Sequence, residues 1–339
     1  MILSVTDFLS LRHQLPVVDV RSESEYETGH IRKAVNIPIL KNAERTEVGT
    51  DYKQKGQAEA IKTGFRLVEP RLAEIISTAK KVALNNEIIV HCWRGGLRST
   101  NFCRFVNADG IKTHQLEGGY KAYRSLALEA YKKPFQFVVI GGCTGSGKSE
   151  ILRALKKQGE QVIDLEKLAH HKGSSFGGLM QDPQPTTEQF QNELFEEILQ
   201  LDTHKRIWIE DESISIGRVF LPNDFWKKMS VSSVMEVALE KPKRVERLVH
   251  EYGTANQDEF LRAMERITNK LGGQHFKAAK EKLLQGDMSG TIDILLTYYD
   301  KAYRSGLEKK KARINSTVEW DGKDVASFAK NLKEYPVNF

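Results

Sequence analysis

Cysteine is scarce in this sequence, with only three cysteines among 339 residues, at positions 92, 103 and 143. No two of them have the C-x-x-C spacing, which excludes a disulfide framework and a cysteine-rich zinc site and fits a reducing compartment. Long apolar runs are also missing, so no stretch is predicted to span a membrane, and the first residues lack the pattern of a signal peptide. We therefore expect a soluble, cytoplasmic protein with no membrane partner.

Internal repeats and low-complexity segments are absent from the sequence as well, and 339 residues exceed the size of one ordinary domain. From Val17 onward, short β-rich runs alternate with amphipathic helical patterns, which is typical of a parallel α/β sheet. Pro134 interrupts this alternation because proline cannot continue a helix. We predict one α/β domain over residues 1–133 and, over residues 134–339, a second α/β domain with a helical C-terminal part.

The three cysteines are not equivalent. Cys92 opens a glycine-containing loop, residues 92–99 (CWRGGLRS), between a predicted strand and a predicted helix. Backbone N–H groups of such a loop can point at the sulfur, and the helix N-terminus adds partial positive charge. Arg94 and Arg98 strengthen this field, which lowers a thiol pKa. We predict a reactive thiol with both arginines in its site; the alternative is a buried structural cysteine, which we expect for Cys103.

A second glycine-rich loop follows an apolar strand pattern over residues 135–140. Residues 142–149 fit G-x-x-x-x-G-K-S and precede a helical pattern, which is the context of a P-loop. Its backbone N–H groups are expected to hold a diphosphate, Lys148 to reach the phosphate oxygens, and Ser149 to bind Mg²⁺. Cys143 is expected to serve only as a small side chain. The predicted diphosphate site comprises Gly142, Thr144, Gly145, Ser146, Gly147, Lys148 and Ser149.

Acidic residues follow an apolar strand pattern at residues 206–210 (RIWIE). Such a strand end resembles a Walker-B element, so Glu210 or Asp211 is predicted to hold Mg²⁺ directly or through water. The alternative is a strand that ends in solvated carboxylates, and the choice between the two carboxylates stays open.

The charge balance favours a polyanionic partner, since 51 lysines and arginines face 45 acidic residues and give a net charge of +6. Lys243, Arg244 and Arg247 open a basic helical region. A basic helix face is usually only solvated, but the accumulation of such residues after a P-loop predicts contact with RNA.

The first domain resembles rhodanese domains in the order and spacing of its segments. Rhodanese-like domains carry sulfur or selenium as a persulfide or selenopersulfide on the loop cysteine, here Cys92. The polar segment 41–64 is longer than the usual connection and is expected to serve a further purpose. The matching segments are 17–21 (VVDVR), 25–31 (EYETGHI), 34–38 (AVNIP), 92–99 and 117–120 (EGGY).

The fusion of this domain to a P-loop domain resembles the tRNA 2-selenouridine synthases over nearly the whole chain. The resemblance implies a transferase acting on 2-thiouridine at the tRNA wobble position. Geranyl diphosphate would first give S-geranyl-2-thiouridine, and selenium from selenophosphate, carried on Cys92, would then replace the geranylthio group to give 2-selenouridine. The matching segments are 47–54 (EVGTDYKQ), 92–99, 142–149, 164–166 (DLE), 173–177 (GSSFG) and 210–213 (EDES).

Two other functions stay open on the residues alone. In an ATP-dependent RNA sulfurtransferase the P-loop would activate the base and Cys92 would deliver sulfur, with release of ADP or AMP. In a nucleotide-gated RNA-binding module the first domain would be only a scaffold, which has no need of a reactive thiol. The sequence indicates no oligomeric state.

Overall fold

A computed structural model describes residues 1–336, except for the side chains of residues 307–309. The chain divides into two compact units, Met1–Ala130 and a second unit that begins at Tyr131. Each unit is built on a parallel sheet flanked by helices, which confirms the predicted α/β class. Among the described residues no helix is long and apolar enough to cross a membrane.

The sheet of the N-terminal unit has five strands, β1 (Ile2–Leu3), β2 (Val17–Asp19), β3 (Val35–Asn36), β4 (Glu87–His91) and β5 (Lys112–Leu116). They lie in the order β1-β5-β4-β2-β3, and each pair is parallel. The central strand β4 is apolar and buried over most of its length because helices cover both faces of a parallel sheet. Its carboxyl end leads directly into the loop of Cys92.

The helices of this unit are α1 (Val5–Leu11), α2 (Glu23–Thr28), α3 (Asn42–Lys55), α4 (Gln57–Val68), α5 (Leu72–Val82), α6 (Leu97–Ala108) and α7 (Gly119–Ala130). A 3₁₀ turn, Glu69–Arg71, precedes α5. Ser22 and Glu25 start α2 with the capping box that their spacing predicts.

The long polar segment of the N-terminal unit forms a helical hairpin of α3 and α4. Asp51 ties the two helices together, since it accepts a hydrogen bond from Thr63 Oγ1 at 2.6 Å and pairs with Lys55 at 2.8 Å. Arg71 fixes the hairpin to the unit by binding Glu44 at 2.5 Å. Sequence reasoning gave no structure for this segment, because α3 is polar on all sides and lacks the apolar stripe that marks a surface helix.

The sheet of the second unit contains β6 (Gln136–Gly141), β7 (Gln161–Ile163), β8 (Arg206–Glu210), β11 (Ser233–Ala238) and β12 (Ile314–Glu319), and a separate hairpin contains β9 (Ser215–Ile216) and β10 (Val219–Phe220). The main sheet is parallel, in the order β12-β11-β6-β8-β7. The P-loop strand β6 is therefore central, with the acidic strand β8 beside it.

The helices of the second unit are α8 (Lys148–Lys157), α9 (Leu165–Ala169), α10 (Thr187–Ile198), α11 (Asn223–Val231), α12 (Lys241–Tyr252), α13 (Gln257–Glu265), α14 (Thr268–Leu271), α15 (Gly273–Leu284), α16 (Met288–Lys310) and α17 (Val325–Lys333). A 3₁₀ turn, Lys311–Arg313, follows α16. Helices α12 to α16 share an apolar core that includes Phe260, Met264 and Leu296.

The structure corrects two sequence-based boundaries in this unit. The sequence of residues 162–166 predicts the start of a second strand, but β7 ends at Ile163, because the Asp164 side chain accepts a hydrogen bond from Lys167 N at 2.8 Å and caps α9. The helical C-terminal part is also not the end of the fold. Strand β12 and helix α17 return to the main sheet, where Trp320 and Phe328 join its core.

Candidate active sites

The Cys92 loop connects β4 to α6 and wraps around the sulfur. Gly95 has a φ of 69°, which a side chain would strain. The start of α7 packs against this loop so closely that a Cβ on Gly119 would lie 2.4 Å from the Cys92 carbonyl oxygen. Tyr120 N donates to that oxygen at 2.9 Å. The glycines therefore allow two helix starts to meet at the cysteine.

The Cys92 thiol is almost completely buried, with 3% of the residue exposed. Its Sγ lies 3.2 Å from Ser99 Oγ in the first turn of α6. Burial on its own raises the thiol pKa, but the Ser99 hydroxyl, the backbone N–H groups of Ser99 and Arg94 and the charge of Arg98 outweigh it. The net effect lowers the pKa of Cys92.

The two arginines of the loop have different surroundings. Arg98 is half-buried and binds Glu25 through two hydrogen bonds of 2.6 and 3.2 Å, and Arg45 of α3 binds the same carboxylate at 2.9 Å. Arg94 is exposed, and within the described part of the chain it forms no ion pair. Arg98 is thus fixed beside the sulfur, whereas Arg94 is free to bind an anion.

A buried ion pair between Arg21 and Asp19 lies near the Cys92 loop. Arg21 binds Asp19 at 2.6 Å, and its guanidinium lies 3.8 Å from the centre of the Tyr120 ring. Burial lowers the pKa of His91, which keeps this neighbour of Cys92 neutral at physiological pH. A neutral His91 adds no charge to the site, so the field at the sulfur comes from the loop N–H groups and Arg98.

The P-loop of the second unit connects β6 to α8. Gly145 and Gly147 have φ values of 83° and 81°, and a Cβ on Gly142 would lie 2.5 Å from Ser146 Oγ. Lys148 Nζ donates to the Gly142 carbonyl at 3.0 Å across the loop. The loop therefore has the conformation that points backbone N–H groups at an anion before the α8 N-terminus.

Arg244 stabilises the P-loop and does not lie on an RNA-facing surface. It is 5% exposed, its guanidinium binds both oxygens of Asp300 at 2.7 and 2.8 Å, and it also donates to the Thr144 carbonyl at 3.2 Å. This geometry corrects the sequence-based prediction, because a buried and paired arginine cannot release counterions from a phosphate backbone.

The other two predicted RNA contacts differ from Arg244. Lys243 is half-buried and pairs with its helix neighbour Glu246, at 3.2 Å. Arg247 binds Glu150 and stacks on Trp320, 4.8 Å from the ring centre. Both residues line the cavity above the P-loop. Contact with RNA stays a prediction for these two residues.

Carboxylates crowd the edge of the sheet beside Ser149. The Ser149 hydroxyl donates to Glu166 Oε2 at 2.5 Å, although Glu166 follows a different strand. Glu210 is fully buried; its Oε2 accepts a hydrogen bond from Leu165 N, and its Oε1 has no partner among the described residues. Asp211 is bound at 2.6 Å by Lys310. Glu166 is therefore the carboxylate that contacts the predicted Mg²⁺ ligand Ser149.

The surroundings of these carboxylates fit a bound cation. Burial, together with the charges of Asp164 and Glu166, raises the pKa of Glu210. Burial and the charge of Glu166 raise the pKa of Glu212 to about 8. A divalent cation would relieve this repulsion. Among the side chains that the structure describes, no group of three acidic, histidine or cysteine residues could hold a metal ion.

A cavity of about 1080 Å³ lies above the P-loop within the second unit. Its wall brings together Lys148, Ser149, Glu166, Asp211 and Glu212. The residues that the sequence predicts to bind diphosphate and Mg²⁺ thus meet at one site, apart from the buried Ser146 and Glu210. Sequence reasoning assigned no role to Glu166 or Ser99, although both lie inside segments that it singled out.

Comparison with known proteins assigns a family to each unit of the chain. Residues 135–335 match the tRNA 2-selenouridine synthase AAA domain, and residues 4–126 match the rhodanese-like domain. The chain is 32% identical over 350 residues to the tRNA 2-selenouridine synthase of Shewanella denitrificans, covering 92% of this chain and 94% of that protein. It is also 32% identical over 366 residues to the tRNA 2-selenouridine synthase of a Sulfurovum species, covering 97% and 98%.

Among solved structures, an N-terminal domain from Clostridium difficile 630 is 42% identical in sequence to this chain, with a TM-score of 0.35. The match covers 38% of this chain and 99% of that domain. The two matched domains span both units of the chain. The two relatives, which have the same name, align with this chain over almost their whole length. The chain belongs to the tRNA 2-selenouridine synthase family.

Proposed function

We propose that this protein is a tRNA-modifying transferase that converts wobble 2-thiouridine into 2-selenouridine in two steps. In the first step, geranyl diphosphate alkylates the sulfur of the base. In the second step, selenium from selenophosphate replaces the geranylthio group. The observation that carries the proposal is the presence, in one chain of this family, of two separate anion-binding loops, one of which surrounds an activated thiol.

The P-loop supports the first step because a diphosphate is its natural ligand. When the base sulfur attacks the first carbon of the geranyl chain, the C–O bond breaks and the electron pair leaves with the diphosphate. Backbone N–H groups and Lys148 stabilise this leaving group. Mg²⁺ held by Ser149 and Glu166 would neutralise further negative charge when bound. Neither Lys148 nor Ser149 reads a nucleobase, so the P-loop itself has no preference for ATP.

The Cys92 loop supports the second step. A selenopersulfide on Cys92 carries a terminal selenide anion, which the loop N–H groups and Arg98 can stabilise, while Arg94 can bind the phosphate of selenophosphate. The selenide attacks C2 of the base, the C2–S bond breaks, and geranyl thiol leaves. Loading of Cys92 breaks the Se–P bond of selenophosphate, whose phosphoryl group passes to water and leaves as phosphate, and two electrons pass to a cellular disulfide as the S–Se bond forms. The thiols so formed reduce the S–Se bond on release, so the cycle is redox-neutral.

The decisive assay supplies purified protein with 2-thiouridine tRNA, geranyl diphosphate and Mg²⁺, without any nucleotide. Formation of S-geranyl-2-thiouridine, detected by mass spectrometry of the nucleosides, is the expected result. Addition of selenophosphate and a thiol–disulfide pair should then convert this nucleoside into 2-selenouridine. A strict requirement for hydrolysable ATP, with release of ADP or AMP, would overturn the proposal in favour of an ATP-dependent sulfurtransferase.

A further inference from the structure

An open groove of about 750 Å³ lies over the Cys92 loop, within the N-terminal unit. Its volume falls in the range of ligand pockets, roughly 300–1,000 Å³. One wall comes from the α3–α4 hairpin and the other from the Cys92 loop and α6. The polar segment that lengthens this unit therefore builds half of a binding site next to the reactive sulfur.

The lining of the groove is mainly apolar even though the groove is open to solvent. Tyr52, Phe65 and Leu97 line it with 60%, 49% and 51% of their surfaces exposed. The Phe65 ring meets the Phe105 ring edge to face, with the centroids 6.2 Å apart. Ile61 continues this surface along α4. Large apolar side chains gathered at an exposed surface mark a binding site for an apolar group.

The part of the groove formed by the Cys92 loop, here called its Cys92 end, contributes a thiol and two guanidinium groups, while the hairpin adds polar side chains such as Thr46, Lys53 and Gln57. Cys92, Arg94 and Arg98 line the groove together with the apolar side chains. Apolar walls that end at a thiol and two guanidinium groups suit a ligand with an apolar chain attached to a polar, reacting head.

Ion pairs fix the α3–α4 hairpin next to the Cys92 loop and so maintain the groove. Arg45 of α3 and Arg98 of the Cys92 loop bind the same carboxylate, Glu25, at 2.9 and 2.6 Å. The α3–α4 hairpin and the Cys92 loop are thus both bound to Glu25. A preformed groove costs little ordering free energy when its ligand binds.

We propose that this groove binds the ten-carbon geranyl chain of S-geranyl-2-thiouridine while selenium is transferred at Cys92; the inference rests on the two-step function proposed above. The geranylthio sulfur takes the electron pair of the broken C2–S bond and is then protonated by water. If the chain is held in the groove, that sulfur lies at the Cys92 end, beside the attacking selenide. The groove thereby selects geranylated tRNA for the second step.

A protection experiment tests the groove without tRNA. The full-length protein is alkylated with iodoacetamide in the presence or absence of geraniol, and each cysteine is quantified by mass spectrometry. Geraniol has the same chain but no diphosphate, so the P-loop cannot hold it. We expect geraniol to slow alkylation of Cys92 several-fold and to leave Cys143 unaffected. Equal Cys92 rates with and without geraniol would overturn the inference.

A second experiment varies the leaving group. Phe65→Ser should slow selenation of S-geranyl-2-thiouridine tRNA by roughly tenfold or more, but leave selenation of S-methyl-2-thiouridine tRNA within about twofold of the wild type. Phe220→Ser is the matched control, since Phe220 is 52% exposed and lies in β10 of the other unit. It should change neither rate.

The outcomes separate this inference from the proposed function. Equal slowing of both substrates by Phe65→Ser would mean that Phe65 contacts the base or the tRNA, and would overturn the geranyl assignment. Failure of the wild-type protein to selenate either substrate would refute the two-step function, whereas protection of Cys92 by geraniol would still support a prenyl-binding groove.

Discussion

The Cys92 loop and the P-loop use the same backbone device but perform different chemistry. Each follows the carboxyl end of a central parallel strand, contains at least one glycine with positive φ, and ends at a helix N-terminus. Both also contain a cysteine, and the two cysteines respond in opposite ways. The pKa of Cys92 is lowered although burial opposes it, whereas burial raises the pKa of Cys143.

The difference comes from the side chains around each loop. Ser99 and Arg98 face the Cys92 sulfur, so the anion stabilised there belongs to the protein itself. Carboxylates surround Ser149, so the second loop suits an anionic ligand together with a cation. A glycine-rich loop before a helix therefore creates only an electrostatic bias, and its neighbours decide whether a nucleophile or a leaving group is stabilised.

The largest expected difference between the two loops concerns Cys92. Cys92→Ser removes the selenium carrier, and we expect formation of 2-selenouridine to fall by roughly a thousandfold or more, as in other enzymes that lose their nucleophile. Geranylation should stay within about twofold of the wild type, because it uses the other loop. Nucleoside mass spectrometry measures both products, and continued selenation by the variant would refute the carrier role.

The next largest effect is expected at Lys148. Lys148→Ala removes a charged hydrogen bond to the departing diphosphate, worth about 1.5–3 kcal/mol, so geranylation should slow by roughly ten- to a hundredfold. Selenation of tRNA that is already geranylated should persist, because no diphosphate leaves in that step. Single-turnover assays of each step on its own measure this separation. Equal loss of both steps would show that the P-loop also serves selenium transfer.

Both loops could be located from the sequence because their signals are local. Glycine spacing, an apolar run before it and a helical period after it all lie within some twenty residues. The side chains that tune each loop come from elsewhere in the chain, and their contacts have no local signature. Arg244 follows the pattern of a solvated basic helix, yet α12 turns it inward to Asp300 on α16. Glu166 reaches Ser149 only because β7 ends three residues earlier, at Ile163.

The elements that sequence reasoning missed share a second cause. Helix α3 has no apolar stripe, and the edge strand β12 is mostly polar, so neither carries the periodicity that predicts its type. Each is stabilised by tertiary contacts instead, α3 by Asp51 to Thr63 of α4 and β12 by pairing with β11. The groove over Cys92 depends on α3, so it could not be predicted either.

A smaller effect sharpens the contrast between the two cysteines. Ser99→Ala removes one hydrogen bond to Cys92 Sγ, worth about 1 kcal/mol, so the thiol pKa should rise and alkylation at pH 7 should slow by roughly fivefold. Cys143 should react slowly in both proteins and become reactive only at higher pH. Rates of iodoacetamide labelling, followed for each cysteine between pH 5 and pH 10, test this. An unchanged pH profile for Cys92 would show that the backbone N–H groups and Arg98 suffice.

A separate effect, on stability and not on reaction rate, concerns the acidic side of the P-loop, where Glu212 has a pKa raised to about 8 by burial and by Glu166. Between the ordinary pKa of 4.5 and about 8, the folded state keeps this proton while the unfolded state loses it. The free energy of unfolding therefore falls as the pH rises through this window, by up to about 1.4 kcal/mol per pH unit.

Glu212→Gln should reduce that slope, and Glu210, whose pKa is also raised, should maintain the rest. Mg²⁺ should flatten the slope of the wild type, because a bound cation favours ionised carboxylates. Urea unfolding followed by tryptophan fluorescence, with and without Mg²⁺, measures both effects, since Trp208, Trp226 and Trp320 all lie in the second unit. Identical slopes in the variant and the wild type would mean that Glu212 ionises normally and that the P-loop does not share the charge imbalance described here.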